Sequence, residues 1–332
     1  MRAALAAAEK GLGHTSPNPA VGAVLVIKGK IVARGHHKRA GLPHAEIECL
    51  RSFKKPIPKE SILYVTLEPC STTGRTGPCT DRIVAAGVRR IVIGATDPNP
   101  SHAGRGIGIL RDAGLEVRTG VLAEECSALN EGFNHWIRMR HPFVIVKCGM
   151  TLDGRLSAPP GGARWVTSAD SRRHARQLRA GVDAILIGAE TLRTDNPRLT
   201  VRLRGAKQPW RIVLSRSGKL PRDARIFTDR FASRTLAFHD QDLAAVLHEL
   251  GTKEITSVLI EGGGEILGQA LDQRVVNKVQ LYLGPVFTGG PVVAFPGLGA
   301  ASTEGGLRLE RVRYERIGQD VCVVGYPIKK AE

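Results

Sequence analysis

His44-Ala45-Glu46, answered by Glu68-Pro69-Cys70 and then by Cys79, is the stretch around which the chain is organised. His44 opens a segment of helical character, His44 to Phe53, and Cys70 follows an apolar strand-like run, Ile62 to Leu67. Cys79 stands just before a second helix, Thr80 to Ala86. One imidazole and two thiols brought from strand ends and helix starts suit zinc. That ion takes N and S ligands tetrahedrally, and its catalytic sites keep a fourth position open. Zinc also makes water a usable nucleophile near neutral pH. Glu46, two residues past a ligand and not itself one, can then carry the protons. His44, Cys70 and Cys79 are therefore the candidate ligands, and Glu46 the candidate acid/base.

The rest of the first half alternates strand and helix. Met1 to Gly11 reads as a helix and not as a secretory signal, because Glu9 and Lys10 interrupt its apolar start. Thr15-Ser16-Pro17-Asn18-Pro19 is a rigid loop, since two prolines exclude regular pairing. Val21 to Ile27 and Ile31 to Arg34 form a hairpin through Lys28-Gly29-Lys30. Arg90 to Gly94 and Glu116 to Arg118 are short strands with a helix, Ile107 to Ala113, between them, and Ala123 to Met139 reads as one helix. This alternation predicts an α/β layer fold, with the motif residues where such folds place ligands. Histidine, glutamate and the later P-C also form the signature of zinc nucleobase deaminases. Those usually have two residues between the cysteines; here Ser71 to Pro78 intervene.

Pro142 lies just past the last of these helices and a fresh strand starts at Phe143, which divides the chain into residues 1–139 and 140–332. The second part holds no further H-x-E or P-C pair. Lys147 to Gly154 runs from a strand into a turn, and Thr167-x-x-Asp170 has the form of a capping box before a helix, Ser171 to Ala180. Ala184 to Gly188, Arg211 to Ser215, Thr235 to Ala237, Ser257 to Ile260, Lys278 to Leu283 and Val321 to Gly325 read as strands, and Asp242 to Leu250 as a helix. Glu261-Gly262-Gly263-Gly264 then leads into a helix, Glu265 to Leu271. A strand, a glycine turn and a helix can present backbone N–H groups to a phosphate. G-x-G-x-x-G is absent, and a triple glycine also serves as a plain tight turn.

Composition narrows the partners. The net charge is +17, from 19 Lys/Arg against 12 Asp/Glu in residues 1–139 and 29 against 19 in the rest. An excess spread this way favours anionic partners, and a phosphorylated small molecule or a dinucleotide meets it as well as a polynucleotide does. No block of five or six like charges marks an unstructured nucleic-acid arm, and no apolar run reaches the length of a membrane span. Cysteines 49, 70, 79, 126, 148 and 322 in a chain of 332 residues form no disulfide framework, so a reduced, cytoplasmic setting is expected.

With both parts placed, the sequence resembles the bifunctional deaminase–reductases of riboflavin biosynthesis over nearly its whole length. In the first part the resemblance rests on Thr15-Ser16-Pro17-Asn18-Pro19-x-Val21-Gly22, on His37 with Gly41 to Glu46, on Leu67 to Ser71, on Gly74-Arg75-Thr76 and on Pro78-Cys79. In the second it rests on Leu152 to Arg155, Trp165 to Ser168, Asp195-Asn196-Pro197-x-Leu199-Thr200-Val201-Arg202 and Glu261-Gly262-Gly263. The long cysteine gap is this family's own spacing.

The resemblance implies a cytidine-deaminase-like three-layer domain followed by a dihydrofolate-reductase-like domain. The first would deaminate a diaminopyrimidinone bearing a phosphoribosylamino group, using zinc. The second would use NADPH to reduce the ribosyl group to ribityl. Carried over by position, Asn18 and His37 line the deaminase pocket. Gly149, Trp165, Thr191, Asp195, Ser215 and the run Gly263, Gly264, Glu265, Ile266, Leu267, Gly268 and Gln269 contact NADPH. Arg179, Leu199, Arg202 and Glu261 contact the substrate, with Lys147 and Asp153 close by. Arg179 and Arg202 also suit a phosphate because guanidinium binds it bidentately. A homo-oligomer without nucleic acid or membrane is expected. The chain departs from the family pattern at Thr72 (commonly histidine), Gly77 (commonly proline) and Ala163 (often serine).

Two other readings compete. One is a nucleic-acid base deaminase with a basic C-terminal docking domain. Against it stand an aromatic content of 5%, when single-strand binding leans on stacking, and the acidic Asp153, Asp195 and Glu261 in the marked loops. The other keeps the deaminase and makes the second part a non-catalytic oligomerisation module.

Overall fold

A computed structural model describes residues 1–72, 77–156, 165–203 and 205–328. Gly74, Arg75, Thr76 and Ala163 therefore lie outside the described residues. The chain forms two compact units, Met1–Arg140 and His141–Glu332. No described helix is long and apolar enough to cross a membrane.

The first unit runs α1 (Arg2–Ala8), β1 (Gly22–Ile27), β2 (Lys30–His36), α2 (Ala45–Ser52), β3 (Ile62–Leu67), α3 (Cys79–Ala85), β4 (Arg90–Ala95), α4 (Arg105–Asp112), β5 (Glu116–Arg118), α5 (Ala123–Ala128) and α6 (Glu131–Met139). Its five strands lie in the order β2-β1-β3-β4-β5. β1 is antiparallel to β2 and β3, while β3, β4 and β5 are parallel. One face packs on α2, α3 and α4 through Leu25, Leu63, Val65, Ile91 and Ile93 against Cys49, Ile83, Ile107 and Leu110. α1 and α5 bring Leu5 and Cys126 to Leu67 and Ala95. The result is the three-layer arrangement.

The expected single helix from Ala123 to Met139 is in fact two. Asn130, buried and non-helical (φ −118°, ψ 31°), separates them. Its side-chain oxygen accepts from Ala20 N at 2.8 Å, and its amide donates to Ala20 O at 2.9 Å. Pinning the segment before β1 outweighs one continued helical turn, because those backbone groups are buried and need partners.

The second unit runs β6 (Phe143–Thr151), α7 (Ala169–Leu178), β7 (Ala184–Gly188), α8 (Ala189–Asp195), β8 (Trp210–Ser215), α9 (Arg225–Thr228), β9 (Thr235–His239), α10 (Leu243–Thr252), β10 (Ser257–Glu261), α11 (Gly264–Asp272), β11 (Lys278–Gly284), β12 (Leu309–Ile317) and β13 (Asp320–Pro327). The strand order is β12-β13-β11-β6-β10-β7-β8-β9. Strands β11 to β9 in that order are parallel to their neighbours, and β13 and β12 add antiparallel at one edge. The cap of α7 sits one residue later than the capping box implied: Ser168 Oγ accepts from Ser171 N. β12 was not expected. Its charges at 310, 311, 313, 315 and 316 break the alternation, and a register shift lies between Glu310 and Arg313.

Chain direction creates a crevice here. From β7 the chain moves outward to β8; from β10, which lies beside β7, it crosses to β11 on the far side of β6. Ligands bind outside the carboxyl ends of strands where the winding reverses in this way. Gly188 and Glu261 end those two strands.

Gly35 positions α2 in the first unit. A Cβ there would collide with Ala45 O and Cys49 N, so only glycine lets α2 lie this close on β2. Gly35→Ala should destabilise the first unit by about 1–3 kcal/mol, the usual cost of overpacking. Thermal unfolding of the variant checks it, with the second unit's transition unmoved.

Candidate active sites

Three elements deliver the metal-binding set. His44 is the N-cap of α2, in extended conformation. Cys70 lies just beyond the end of β3, and Cys79 opens α3 behind Pro78. Their ligand atoms all lie within 4.8 Å of one another. His44 Nδ1 stands 3.2 Å from Cys79 Sγ and 3.5 Å from Cys70 Sγ. Cys79 N donates to Cys70 Sγ at 3.4 Å. The cysteine gap is thus compatible with convergence, and Thr80 N–H to Cys70 O at 3.3 Å closes it.

The electrostatics suit a cation. Hydrogen bonding from Cys79, together with that from His44, outweighs burial and brings Cys70 down to about 4. Cys79, which donates to that thiolate, is pushed up. His44 is raised by its bond to Cys70. Glu46, in the first turn of α2, is 3% exposed. Burial raises its carboxyl to about 7, and among the described residues its Oε2 has no hydrogen-bond partner. An orphaned carboxylate oxygen beside two sulfurs and an imidazole nitrogen fits zinc chemistry, and a bound cation would pull Glu46 back down.

His37 and Asn18 form the adjoining wall. The His37 ring stands edge-on to His44, with centroids 5.1 Å apart. His37 Nδ1 is 3.1 Å from Pro43 O, and its Nε2 is 3.2 Å from Asn18 Nδ2. One neutral tautomer satisfies both contacts, with Nδ1–H donating and Nε2 accepting. Burial, which lowers the pKa of this imidazole, favours that form.

Glu68 was read only as part of the strand-end motif, yet it organises the neighbouring loop. Its carboxylate accepts from Asp97 N, Gly104 N and Ile107 N at 3.0–3.2 Å. The available signal was an acidic residue directly after a buried strand. Thr72 and Gly77 are exposed, and nothing stands within 4 Å of a Cβ at Gly77.

The second unit has a cleft of about 1230 Å³ at the crevice between β7 and β10. Gly149, Trp165, Thr191, Asp195, Ser215, Gly263, Gly264, Glu265, Ile266, Leu267 and Gln269 line it, and so do Lys147, Arg179, Leu199, Arg202 and Glu261. Two expected contacts are absent from the lining. A Cβ at Gly268 would collide with Pro296 O, so this glycine serves helix packing. Asp153 bonds instead to Thr151 Oγ1, Thr288 N and Gly289 N. Gly263 caps α11 at φ 82°, and Cβ there would stand 3.1 Å from Thr191 Oγ1. Gln208 was missed: its amide holds both backbone groups of Val201, beside Arg202.

Arg179 and Glu261 form a bidentate pair across the cleft floor, Nε to Oε1 at 2.8 Å and Nη2 to Oε2 at 2.6 Å. Burial alone would raise Glu261, but the Arg179 guanidinium outweighs it and holds the carboxyl below its ordinary 4.5. Lys147, its neighbour across β6, adds in the same direction.

A three-layer unit with a half-buried His/Cys/Cys/Glu cluster, joined to a mainly parallel-sheet unit with a glycine-lined crevice, defines a zinc-dependent deaminase coupled to a nucleotide-dependent reductase. Residues 1–95 match the cytidine and deoxycytidylate deaminase zinc-binding region, and residues 142–323 match the RibD C-terminal domain. The riboflavin biosynthesis protein RibD of Actinobacillus pleuropneumoniae is 37% identical over 351 residues, covering 97% of this chain and 93% of its own. The solved structure of Acinetobacter baumannii RibD superposes with a TM-score of 0.89 at 31% identity, over 99% of this chain and 98% of that one. A diaminohydroxyphosphoribosylaminopyrimidine deaminase/5-amino-6-(5-phosphoribosylamino)uracil reductase from Thermotoga maritima gives 0.90 at 33%, over 99% and 97%.

The chain belongs to the RibD family. It is a bifunctional deaminase–reductase of riboflavin biosynthesis that uses zinc and NADPH. That leaves no place for a second unit serving only as a docking or oligomerisation module.

The ion pair yields a prediction. Arg179→Ala strands a buried carboxylate and should cost the second unit about 3–5 kcal/mol near neutral pH, read by denaturant unfolding. Glu261 is an acid whose folded-state value is lowered. Its stabilisation is therefore present above pH 4.5 and lost as pH falls through the lowered value, and in Arg179→Ala that acid-side loss should vanish.

Proposed function

We propose that Met1–Arg140 carries the deamination and His141–Glu332 the reduction, with the residues above in specific roles. The observation that carries the first assignment is the convergence of the His44, Cys70 and Cys79 ligand atoms within 4.8 Å beside the unpartnered Glu46 Oε2. His44, Cys70 and Cys79 would hold zinc, which supplies a water of lowered pKa as nucleophile. Glu46 takes the proton of that water and gives it to the departing amino group. A carboxylate that is not itself a ligand, two residues from His44 and with a free oxygen, suits both directions of transfer. His37, with both ring nitrogens bonded, would hold the Asn18 amide, whose oxygen would then face the pyrimidine.

In the second unit NADPH supplies the hydride. The turn at Gly263 and Gly264, with the first N–H groups of α11, would take its pyrophosphate. Thr191, Gly149, Trp165, Asp195 and Ser215 line the same cleft and would flank the cofactor. Arg202, on the cleft wall, would take the substrate phosphate, with the Arg179 guanidinium, held by Glu261 and by the Thr200 carbonyl, beside it. Lys147 contributes a cation beside that pair. A phosphorylated pyrimidine thus accounts for the cationic lining without a polynucleotide.

Homo-oligomers and a cytoplasmic setting belong to the same reading. Phe287, Leu298 and Tyr314 are 73%, 95% and 75% exposed, available for a second copy. All six cysteines are free, and NADPH chemistry belongs to reducing compartments.

Two substitutions separate the sites. Glu46→Gln should keep zinc, by elemental analysis, while deamination falls on the order of 10²–10⁴-fold; reduction of supplied aminouracil should be unchanged. Deamination at the parental rate would assign the proton transfers to another group.

Gly263→Val places a side chain at φ 82°, where Thr191 already crowds it. It should abolish NADPH binding in a titration and leave deamination intact, so that aminouracil accumulates with its ribosyl group unreduced. Circular dichroism must match the parent protein. Normal NADPH binding by a folded Gly263→Val protein would place the cofactor elsewhere.

A further inference from the structure

Asp153 is the expected substrate neighbour that the cleft leaves out, and its surroundings give it another task. Its Oδ1 accepts from Thr151 Oγ1 at 2.6 Å and from Thr288 N at 3.3 Å; its Oδ2 accepts from Gly289 N at 2.8 Å. Backbone bonds knit the same two segments together: Leu152 N to Val286 O, Leu156 N to Val292 O and Ala294 N to Gly154 O, at 2.9–3.1 Å. Arg155 and Val293 form an antiparallel bridge between them. The turn tied by Asp153 contains Gly289 and Gly290, both at positive φ. Residues 286–303 carry no charge of their own; the ionised groups at this contact are the Asp153 carboxylate, which accepts the turn's N–H groups, and Arg155, whose Nε lies 3.8 Å from Asp153 Oδ2.

The other end of that segment lies on α11. A Cβ at Gly264 would collide with Val293 O, and one at Gly268 with Pro296 O, so backbone rests on backbone along the first two turns. Pro291, Val292, Val293 and Pro296 line the cleft together with Gly263 and Gly264. Residues 286–296 are therefore a strap, bound at one end to Asp153 and crossing the helix start at the other.

We infer that Asp153 is a positioning residue for the cofactor: it ties down the strap that walls the phosphate end of the NADPH site, and it does not touch the substrate. This rests on the reading that the pyrophosphate sits at Gly263 and Gly264. A strap ordered before binding spares the cofactor the entropy of ordering it. An amide at 153 sets an N–H₂ donor against the Thr288 and Gly289 N–H donors or gives up one acceptor, and that ordering must then come out of binding.

The test uses the full chain. Asp153→Asn should raise the NADPH dissociation constant on the order of tenfold, the scale of one lost charge-assisted hydrogen bond. The KM for the aminouracil phosphate, kcat at saturating NADPH and deamination should stay at parental values. Hydrogen exchange over residues 286–296 should quicken in the free enzyme and slow again with NADPH. Asp153→Glu should recover part of the affinity. Gly289→Ala, strained at φ 58°, loosens the strap without altering residue 153 and should reproduce the affinity loss, which keeps the test decisive if Asp153→Asn does not fold. A raised substrate KM with unchanged NADPH affinity would make Asp153 a substrate contact and overturn the inference. A parallel loss of every parameter with a lower melting temperature would make it structural only, and overturn it equally. If Gly263→Val removes NADPH binding while Asp153→Asn keeps it, this inference fails alone; if Gly263→Val binds normally, the underlying cofactor reading fails.

Discussion

Candidate ligand atoms separated by 26 and 35 residues in sequence stand within 4.8 Å of one another. The first unit is built to keep them there. His44 and Cys79 each begin a helix, and Cys70 leaves a central strand, so every ligand hangs from an element whose end is fixed by packing. Gly35 lets one of those helices rest directly on the sheet, and Glu68 ties down the loop beside the cysteine turn. Ligands on rigid elements need little ordering when the ion arrives, which is how a site gains precision.

The two units bury a carboxylate in opposite ways. Glu46 and Glu261 both lose their water. Glu46 finds no partner for Oε2 and rises to about 7. Glu261 is gripped on both oxygens by Arg179 and falls below its ordinary value. Desolvation is common to both; the neighbouring charge decides the sign. The first carboxyl keeps an oxygen without a partner among the described residues, while the second remains an anion that fixes a guanidinium in place.

Much of the basic excess serves the fold and the cleft. Arg211 is 1% exposed and bonds to Asp229, Thr235 Oγ1 and the carbonyls of Arg198 and Ile226. Arg216 meets Glu265 on the surface, where such a pair contributes little.

What the sequence determined by itself was local chemistry and periodicity. Histidine two residues before Glu46, cysteines after a buried strand and before a helix, and the glycines after Ile260 are legible in type and spacing, because each group's residue types and its place at a strand end or helix start are local properties. The alternation of apolar strands with helices defined the layers for the same reason. Tertiary structure decided whatever depends on backbone meeting backbone from distant segments. Asn130 breaks a helix to hold Ala20. β12 exists because β13 pairs with it despite its charges. Gly268 is a glycine because of Pro296, and Asp153 turns from the cleft to Thr288 and Gly289. No periodicity records these contacts: a buried amide or carbonyl accepts whichever partner the fold supplies, and that partner is known only when the chain has closed.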